Sequence, residues 1–355
     1  MRVPCLVLWR IASTLLLVVT LACGGGGSGS GGGGGTDAPT ITSFTVSPQR
    51  ITASQDVTLA WTVSGATELK LDPGAAAVTG TGDTRAVTGT TTFTLTATNS
   101  QGTATAQATV TLASAGTAKI AYLHHSTGGC VWDGGVPGFF TSYNQANGTD
   151  YGITSITYPD TSNGYPWANY PYDYWNLWVR HTGSSQDQQE LNLDQLAAQY
   201  DVIVFKHCFP VSAIGPDSDC VPASVSSEVK TVANYKLQYE ALKARMKAFP
   251  GTKFIVWTGA ALKQGETTEA QALRAKAFFD WVKASWDVPG DNIFVWDFWT
   301  LETAGTTGTL YLNDAYAQGD SHPADAFCRT VAPFVSRRIV DVIEGRGDTG
   351  TLTGQ

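Results

Sequence analysis

Basic residues are scarce in this chain of 355 residues. Lysine and arginine together number 22 against 30 aspartates and glutamates, which gives a formal net charge of −8. Nucleic acids attract proteins mainly through clustered lysine and arginine, and no basic block occurs here. We therefore predict no nucleic-acid partner, whereas the acidic net charge does not exclude a neutral glycan or ester.

Histidine is also rare, with five residues, none of them spaced as His-x-His or His-x-x-x-His. His124 and His125 are adjacent at the end of an apolar run, and neighbouring residues of a strand point to opposite faces. A metal site needs several ligands that converge on one point. We therefore predict neither a catalytic metal nor another cofactor.

A long apolar run occurs only once, at Ile11–Ala22, after Arg2 and Arg10. It is too short for a stable membrane span and is typical of a secretory signal peptide, which we assign to residues 1–22. The following Cys23 completes Thr20-Leu21-Ala22-Cys23, which resembles the bacterial lipobox. The resemblance implies export and a lipid anchor on Cys23 that holds the protein to the membrane of the cell envelope, at the outer membrane or cell surface; ordinary secretion is the alternative.

Residues 23–36 are almost entirely glycine after Cys23 and are expected to form a flexible tether. From 37 to 114 the chain has neither cysteine nor histidine, and short runs of alternating threonine, valine and alanine predict an antiparallel β-sandwich with Trp61 in its core. The stretch Thr92–Asn99 resembles bacterial immunoglobulin-like modules. We expect a spacer; a weak glycan-binding or adhesion module is the alternative.

Residues 118–345 alternate between apolar runs and helical patterns, which predicts an α/β domain with a parallel sheet between two helical layers. The expected strand order is the flavodoxin-like 2-1-3-4-5. Residues 346–355 are expected to be a disordered tail. The predicted strands are Lys119–Leu123, Ile153–Tyr158, Asp201–Phe205, Lys253–Trp257 and Asn292–Trp296, and the predicted helices are Val136–Asn147, Glu190–Gln199, Glu228–Phe249, Glu269–Trp286 and Ala324–Glu344.

The first of these strands ends at His124-His125-Ser126-Thr127-Gly128-Gly129. A serine on such a turn lies at the carboxyl end of a parallel strand, where open α/β sheets bind their ligands. Ser126 is therefore a candidate nucleophile, with helix capping as the structural alternative. The loop Gly319-Asp320-Ser321-His322-Pro323 precedes the last helix and reaches the same edge, so it can supply a base and an acid.

This set, a serine after the first strand with an aspartate and a histidine near the C-terminus, resembles the SGNH or GDSL-like hydrolases, in a divergent His-His-Ser-Thr-Gly branch. The resemblance implies that Ser126 is the nucleophile, His322 the general base and Asp320 the acid that orients it. One residue separates Asp320 from His322 where the family has two, so Asp297, Asp314 or a backbone carbonyl are alternative orienting groups.

The family's oxyanion asparagine follows the third strand, where this chain has Lys206-His207-Cys208. Without that asparagine, the oxyanion hole is expected to use backbone N–H groups of Ser126 and of the Gly128-Gly129 turn. His207 and the Asn163-Gly164 pair are further candidate donors.

Seven aromatic residues crowd the fourteen positions from Tyr165 to Trp178. They follow no single period, and a loop here would overhang Ser126. Trp167 and Trp175 are therefore candidate substrate-binding residues, in an aromatic wall for sugar rings or an acyl chain; the alternative is a satellite core beneath a long loop.

Four further cysteines, Cys130, Cys208, Cys220 and Cys328, would form two disulfides in an exported chain, and three pairings are open. Cys208 with Cys220 would close a loop, and Cys130 with Cys328 would tie the nucleophile turn to the last helix. Cys208 beside His207 is also an alternative, cysteine nucleophile.

These features together predict an exported, lipid-anchored serine esterase, with carbohydrate O-deacetylation as the favoured reaction. The alternatives are a lipase and a non-catalytic surface lipoprotein that binds glycans.

Overall fold

Eight strands between Thr40 and Leu112 form two sheets around one core. The computed structural model of the protein describes residues 38–51, 54–74, 76–112, 116–166, 168–218 and 220–355; the predicted signal peptide, Cys23 and the predicted tether lie outside them. The strands are β1 (Thr40–Ser47), β2 (Arg50–Ile51), β3 (Gln55–Ser64), β4 (Glu68–Asp72), β5 (Ala76–Ala77), β6 (Gly82–Val87), β7 (Thr91–Asn99) and β8 (Gly102–Leu112).

The sheets have the orders β1-β3-β6 and β2-β8-β7-β4-β5. Along β3 the buried Val57, Leu59 and Trp61 alternate with exposed residues, so one face of the strand enters the core. The predicted antiparallel β domain is confirmed except at β2, which pairs with β8 in parallel.

Five parallel strands form the sheet of the second domain, in the order β10-β9-β11-β12-β13. In chain order within this domain the arrangement is 2-1-3-4-5, so the predicted strand order is confirmed. The strands are β9 (Thr117–His124), β10 (Asp150–Thr157), β11 (Val202–Phe205), β12 (Lys253–Trp257) and β13 (Ile293–Trp296).

Helices cover both faces of this sheet. Successive residues of β9 serve opposite cores: Ile120 and Tyr122 pack toward the layer of α1, α2 and α8, and Ala121 and Leu123 toward that of α3 to α6. The helices are α1 (Thr127–Asp133), α2 (Val136–Asn147), α3 (Pro171–Trp175), α4 (Leu193–Gln199), α5 (Val232–Lys247), α6 (Glu269–Trp281), α7 (Phe298–Glu302) and α8 (Asp325–Ile343).

The final segment, 346–355, packs against the sheet domain, so the expectation of a disordered tail is wrong. The carbonyl of Leu352 accepts the N–H of Asp297 at 2.9 Å, and that of Thr353 accepts the indole N–H of Trp296 at 2.9 Å. The guanidinium of Arg337 donates to the Gly354 carbonyl at 2.9 Å. The glycines and threonines of this segment therefore form turns that satisfy buried donors rather than a free tail.

None of the helices in the described ranges is both long enough and apolar enough to cross a membrane.

Candidate active site

Ser126 lies in the turn between β9 and α1, at the carboxyl edge of the parallel sheet. Its backbone has φ +46° and ψ −112°, a conformation that residues other than glycine rarely adopt. Ser126 is the residue that precedes the helix, but its side chain makes no capping hydrogen bond. The hydroxyl is instead 2.5 Å from Nε2 of His322. The helix-capping alternative for this side chain is therefore wrong.

His322 contacts the carboxylate of Asp320 on its other ring nitrogen. Nδ1 lies 3.0 Å from Oδ2 and 3.1 Å from Oδ1, and the backbone N–H of His322 donates to Oδ1 at 2.9 Å. With Nδ1–H donating to Asp320, the Nε2 lone pair is free to accept the Ser126 hydroxyl. The structure thus brings together the three residues predicted to act as nucleophile, base and acid.

Neighbouring side chains fix the loop that carries this pair. The buried Ser321 hydroxyl donates to Glu266 and accepts the N–H of Lys263 at 2.9 Å. The ring of Phe209 packs edge-on against His322, with centroids 5.2 Å apart. Ser321 therefore points inward while its neighbours Asp320 and His322 remain at the surface.

Asp320 is exposed, with 63% of its side chain accessible, against 41% for His322. The His322 backbone N–H, and then the imidazole, hold the pKa of Asp320 below its usual value. The two alternative acids are engaged elsewhere. Asp297 receives hydrogen bonds from the N–H and hydroxyl of Thr300 and pairs with Lys283 at 3.0 Å, and Asp314 pairs with Lys263 at 3.4 Å.

A cavity of about 420 Å³ opens directly at Ser126 and His322. Its apolar lining includes Ala168, Phe209 and Ala260, and its polar lining includes Lys206 and Lys230. Among the described residues, no carboxylate belongs to this lining. This volume is in the range of small-molecule sites.

The predicted glycine donors are not available to an oxyanion. The N–H of Gly128 donates to the His125 carbonyl and that of Gly129 to the Ser126 carbonyl, both at 2.8 Å. Gly128 has a packing role, because a Cβ there would come within 2.5 Å of the His124 Cβ and 2.9 Å of the Lys206 Cδ. The remaining backbone donors of the turn are the N–H groups of Ser126 and Thr127, at the helix start where no intrahelical acceptor exists.

The other predicted oxyanion donors lie outside the cavity. His207 is fully buried among Tyr174, Phe205 and Tyr239, and neither ring nitrogen has a partner within the described part of the chain. Burial in this apolar setting lowers its pKa to about 3, so it is neutral. The Asn163 side chain donates to Glu190 at 3.1 Å. Gly164 ends the same short turn, with φ +87°.

Among the described aromatic residues between Tyr165 and Trp178, none lines the cavity and four form core. Tyr165, Tyr170, Tyr174 and Trp178 are buried in the core beneath this face of the sheet. Trp175 packs on Tyr172 and does not line the cavity, so the structure does not bring this predicted binding residue to the site. Trp167 lies outside the described residues.

The structure confirms one of the two disulfide pairings considered. Cys130 of α1 and Cys328 of α8 form a disulfide, which links the helix after Ser126 to the helix after His322. Cys208 is a free, buried thiol, so the pairing with Cys220 is wrong. The Cys208 sulfur faces Lys206 in the cavity, whereas the imidazole of His207 points into the core and cannot act as its base.

His124 and His125 bind different partners, as their adjacent positions on a strand end predict. Nε2 of His124 lies 2.6 Å from the Ser155 hydroxyl, and Nε2 of His125 lies 2.5 Å from the Pro159 carbonyl. Burial is the main cause that lowers the pKa of each to about 4. Among the described residues, no three histidine, cysteine or acidic side chains are grouped so as to hold a metal.

Sequence reasoning missed Lys206, Phe209 and Lys230, all of which line the cavity. For Lys206 a signal was present. It is a charged residue placed directly after the wholly buried strand β11, at the edge that gathers the site.

Comparison with protein-family models and with curated proteins finds no match for the chain.

Proposed function

We propose that the protein is a serine esterase of the SGNH type. The observation that carries the proposal is the chain of contacts from the Ser126 hydroxyl through His322 to Asp320 at the mouth of a cavity, with heavy-atom distances of 2.5 and 3.0 Å. These distances are within the range for proton transfer between a nucleophile and its base. Ser126 is exposed and has a backbone conformation that is rare for non-glycine residues, and its hydroxyl is directed at His322 rather than at the helix.

The chemistry follows from the two nitrogens of His322. Ser126 Oγ bonds to the ester carbonyl carbon while its proton passes to Nε2, and the carbonyl π electrons move to the oxygen as an oxyanion. Collapse of this intermediate breaks the bond to the leaving alcohol, which takes the proton from His322. A water molecule, deprotonated by His322, then attacks the acyl-serine, and the second collapse releases the acid and restores Ser126. Asp320 orients the ring and stabilises the imidazolium in each step.

We propose an exported lipoprotein that removes short acyl groups, such as acetyl, from carbohydrate. A short acyl group is supported by the apolar lining of the cavity, which includes the small side chains of Ala168 and Ala260 together with the ring of Phe209. The described aromatic residues of this segment do not line the cavity and so give a sugar ring no stacking surface there. Hydrolysis rates for aryl esters from two to twelve carbons distinguish the alternatives: an O-deacetylase favours the acetyl ester and a lipase the long chains. Loss of membrane association in Cys23→Ser would support the lipid anchor.

Turnover of a short-chain aryl ester tests the activity. The wild type is expected to hydrolyse 4-nitrophenyl acetate, and Ser126→Ala and His322→Ala to reduce the rate to the uncatalysed level. Ser142→Ala is the matched control, since Ser142 is an exposed serine on α2 away from the cavity. A wild type without turnover would favour the non-catalytic, glycan-binding alternative.

A further inference from the structure

A lysine ammonium lies beside the nucleophile turn. Lys206 directly follows β11, whose Phe205 is paired with Leu123 of β9, so the lysine begins next to the end of the strand that leads to Ser126. Its side chain runs past Gly128, as the 2.9 Å approach of its Cδ to a Cβ there shows. The ammonium donates at 3.3 Å to the carbonyl of His125, the residue before Ser126.

The charge of this ammonium is not neutralised by a partner. Lys206 is 3% exposed, and no carboxylate in the described ranges forms an ion pair with it. Its second contact is the weakly accepting Cys208 sulfur, at 3.4 Å. An ammonium has three N–H donors, so at least one remains for a group that enters the cavity.

The pKa values of the titratable groups around Lys206 are shifted toward their neutral forms. Burial raises the pKa of the nearby Glu302 well above its usual range, which favours its neutral form. The pKa values of His124 and His125 are about 4, and that of His207 is about 3, each lowered first by burial and then by Lys206. A buried, uncompensated cation is costly, and such cost is typical of functional sites.

We propose that Lys206 is a catalytic residue whose ammonium stabilises the oxyanion formed when Ser126 attacks the ester. This inference rests on the proposed function. The Gly128 and Gly129 N–H groups are already bonded, which leaves the Lys206 ammonium, in the lining of the same cavity as Ser126, as a charged donor for the oxyanion. As the carbonyl π pair moves to oxygen, the negative charge develops beside a cation that exchanges weak contacts for a strong, charge-assisted hydrogen bond.

Kinetics of Lys206→Met in the full-length protein test the proposal. We expect kcat for 4-nitrophenyl acetate to fall about 10²-fold, the usual effect of one lost oxyanion donor, with KM changed less than about threefold. An aryl trifluoromethyl ketone, which adds to Ser126 as a charged hemiketal, should lose affinity by a similar factor. In the adduct, the hemiketal oxygen should ionise at a higher pH than in the wild type, as measured by ¹³C NMR of the labelled carbonyl.

Lys253→Met is the matched control. Lys253, like Lys206, is a lysine whose ammonium donates to backbone carbonyls, here those of Val342 and Ile343. It begins β12 and therefore lies at the edge of the sheet opposite to Ser126. We expect wild-type kcat and ketone affinity from this variant. If Lys206→Met does not fold, Lys206→Gln retains a neutral N–H donor without the charge, so we expect a smaller loss of kcat and ketone affinity but still a higher pH for hemiketal ionisation.

The outcomes separate the two proposals. A ketone adduct at Ser126 in the wild type, with unchanged ketone affinity or unchanged hemiketal ionisation in the folded Lys206 variant, would overturn the role of Lys206 alone. No adduct and no turnover in the wild type would overturn the esterase proposal and this inference with it.

Discussion

At Ser126 the backbone adopts a positive φ that costs a non-glycine residue about 1–3 kcal/mol. The cost is met locally by the contacts of the turn, namely the bonds from Gly128 to His125 and from Gly129 to Ser126. The conformation directs the hydroxyl away from the helix that follows and toward His322. Strain at this residue is therefore linked to the geometry of the site.

The role of Asp320 is testable at the same scale. Asp320→Asn should reduce kcat by at least about tenfold with folding intact, because the amide supports the wrong tautomer of His322 and cannot stabilise the imidazolium. The solvent exposure of Asp320 should keep the loss below the about 10⁴-fold seen for a buried triad acid. Asp297→Asn is the control, with lower stability and little change in kcat. A loss below tenfold in Asp320→Asn would exclude it as the orienting acid.

The lowered pKa of the buried His207 makes the stability of the fold depend on pH. Its pKa is about 3 in the folded chain against 6.5 when unfolded, so the unfolded state binds the extra proton below pH 6.5. This contribution to stability is complete above pH 6.5 and is lost as the pH falls toward 3. Its loss amounts to about 2–3 kcal/mol by pH 4.5. His207→Phe should flatten this acid limb in urea unfolding between pH 7.5 and 4.5, and an unchanged slope would contradict the buried, neutral histidine.

At the scale of elements, α1 and α8 carry the two halves of the site into contact. Ser126 precedes α1, the Asp320–His322 loop precedes α8, and the Cys130–Cys328 disulfide joins the helices across 198 residues of sequence. The disulfide thus constrains both the unfolded chain and the distance between nucleophile and base.

Removal of this disulfide should affect stability and activity together. The double variant Cys130→Ser, Cys328→Ser should lose roughly 2–5 kcal/mol of unfolding free energy. Its kcat should fall because α1 and α8 are no longer held together. Chemical denaturation with and without dithiothreitol measures the effect: reductant should destabilise the wild type more than the variant. Equal sensitivity of both proteins to reductant would contradict the assignment.

The elements that could be predicted from the sequence are those with strong local patterns. The apolar runs that became β9 to β13, and α2, which matches its predicted limits, needed only periodicity and turn chemistry. Ser126, Asp320 and His322 could be identified because strand-following loops share one edge of a parallel sheet. The directions of His207 and Trp175 could not, because packing between distant segments decides them. The same holds for Gly128, whose neighbour Lys206 comes from another strand.

At the scale of the whole molecule, the C-terminal segment 346–355 packs against the sheet domain. Gly354 has φ +72°, and a Cβ there would lie 2.0 Å from the Phe334 carbonyl oxygen of α8. Threonine and glycine composition alone predicts a disordered tail, because it does not reveal such a contact.

Substitution of this glycine measures how tightly the segment docks. Gly354→Ala should destabilise the protein by about 1–3 kcal/mol more than Gly345→Ala. Gly345 is the matched control because it also has a positive φ, +79°, but has no atom within 4 Å of an added Cβ. Thermal unfolding of both variants makes the comparison, and equal losses would mean that 346–355 does not pack closely in solution.

Covalent labelling of Ser126 tests the proposed active site most directly. The full-length protein is treated with a fluorophosphonate, and the modified peptide is identified by mass spectrometry. We predict a single adduct at Ser126, no labelling of Ser126→Ala, and slower labelling of His322→Ala, because the hydroxyl then lacks its base. Equal labelling of wild type and Ser126→Ala, or an adduct at another residue, would contradict Ser126 as the nucleophile.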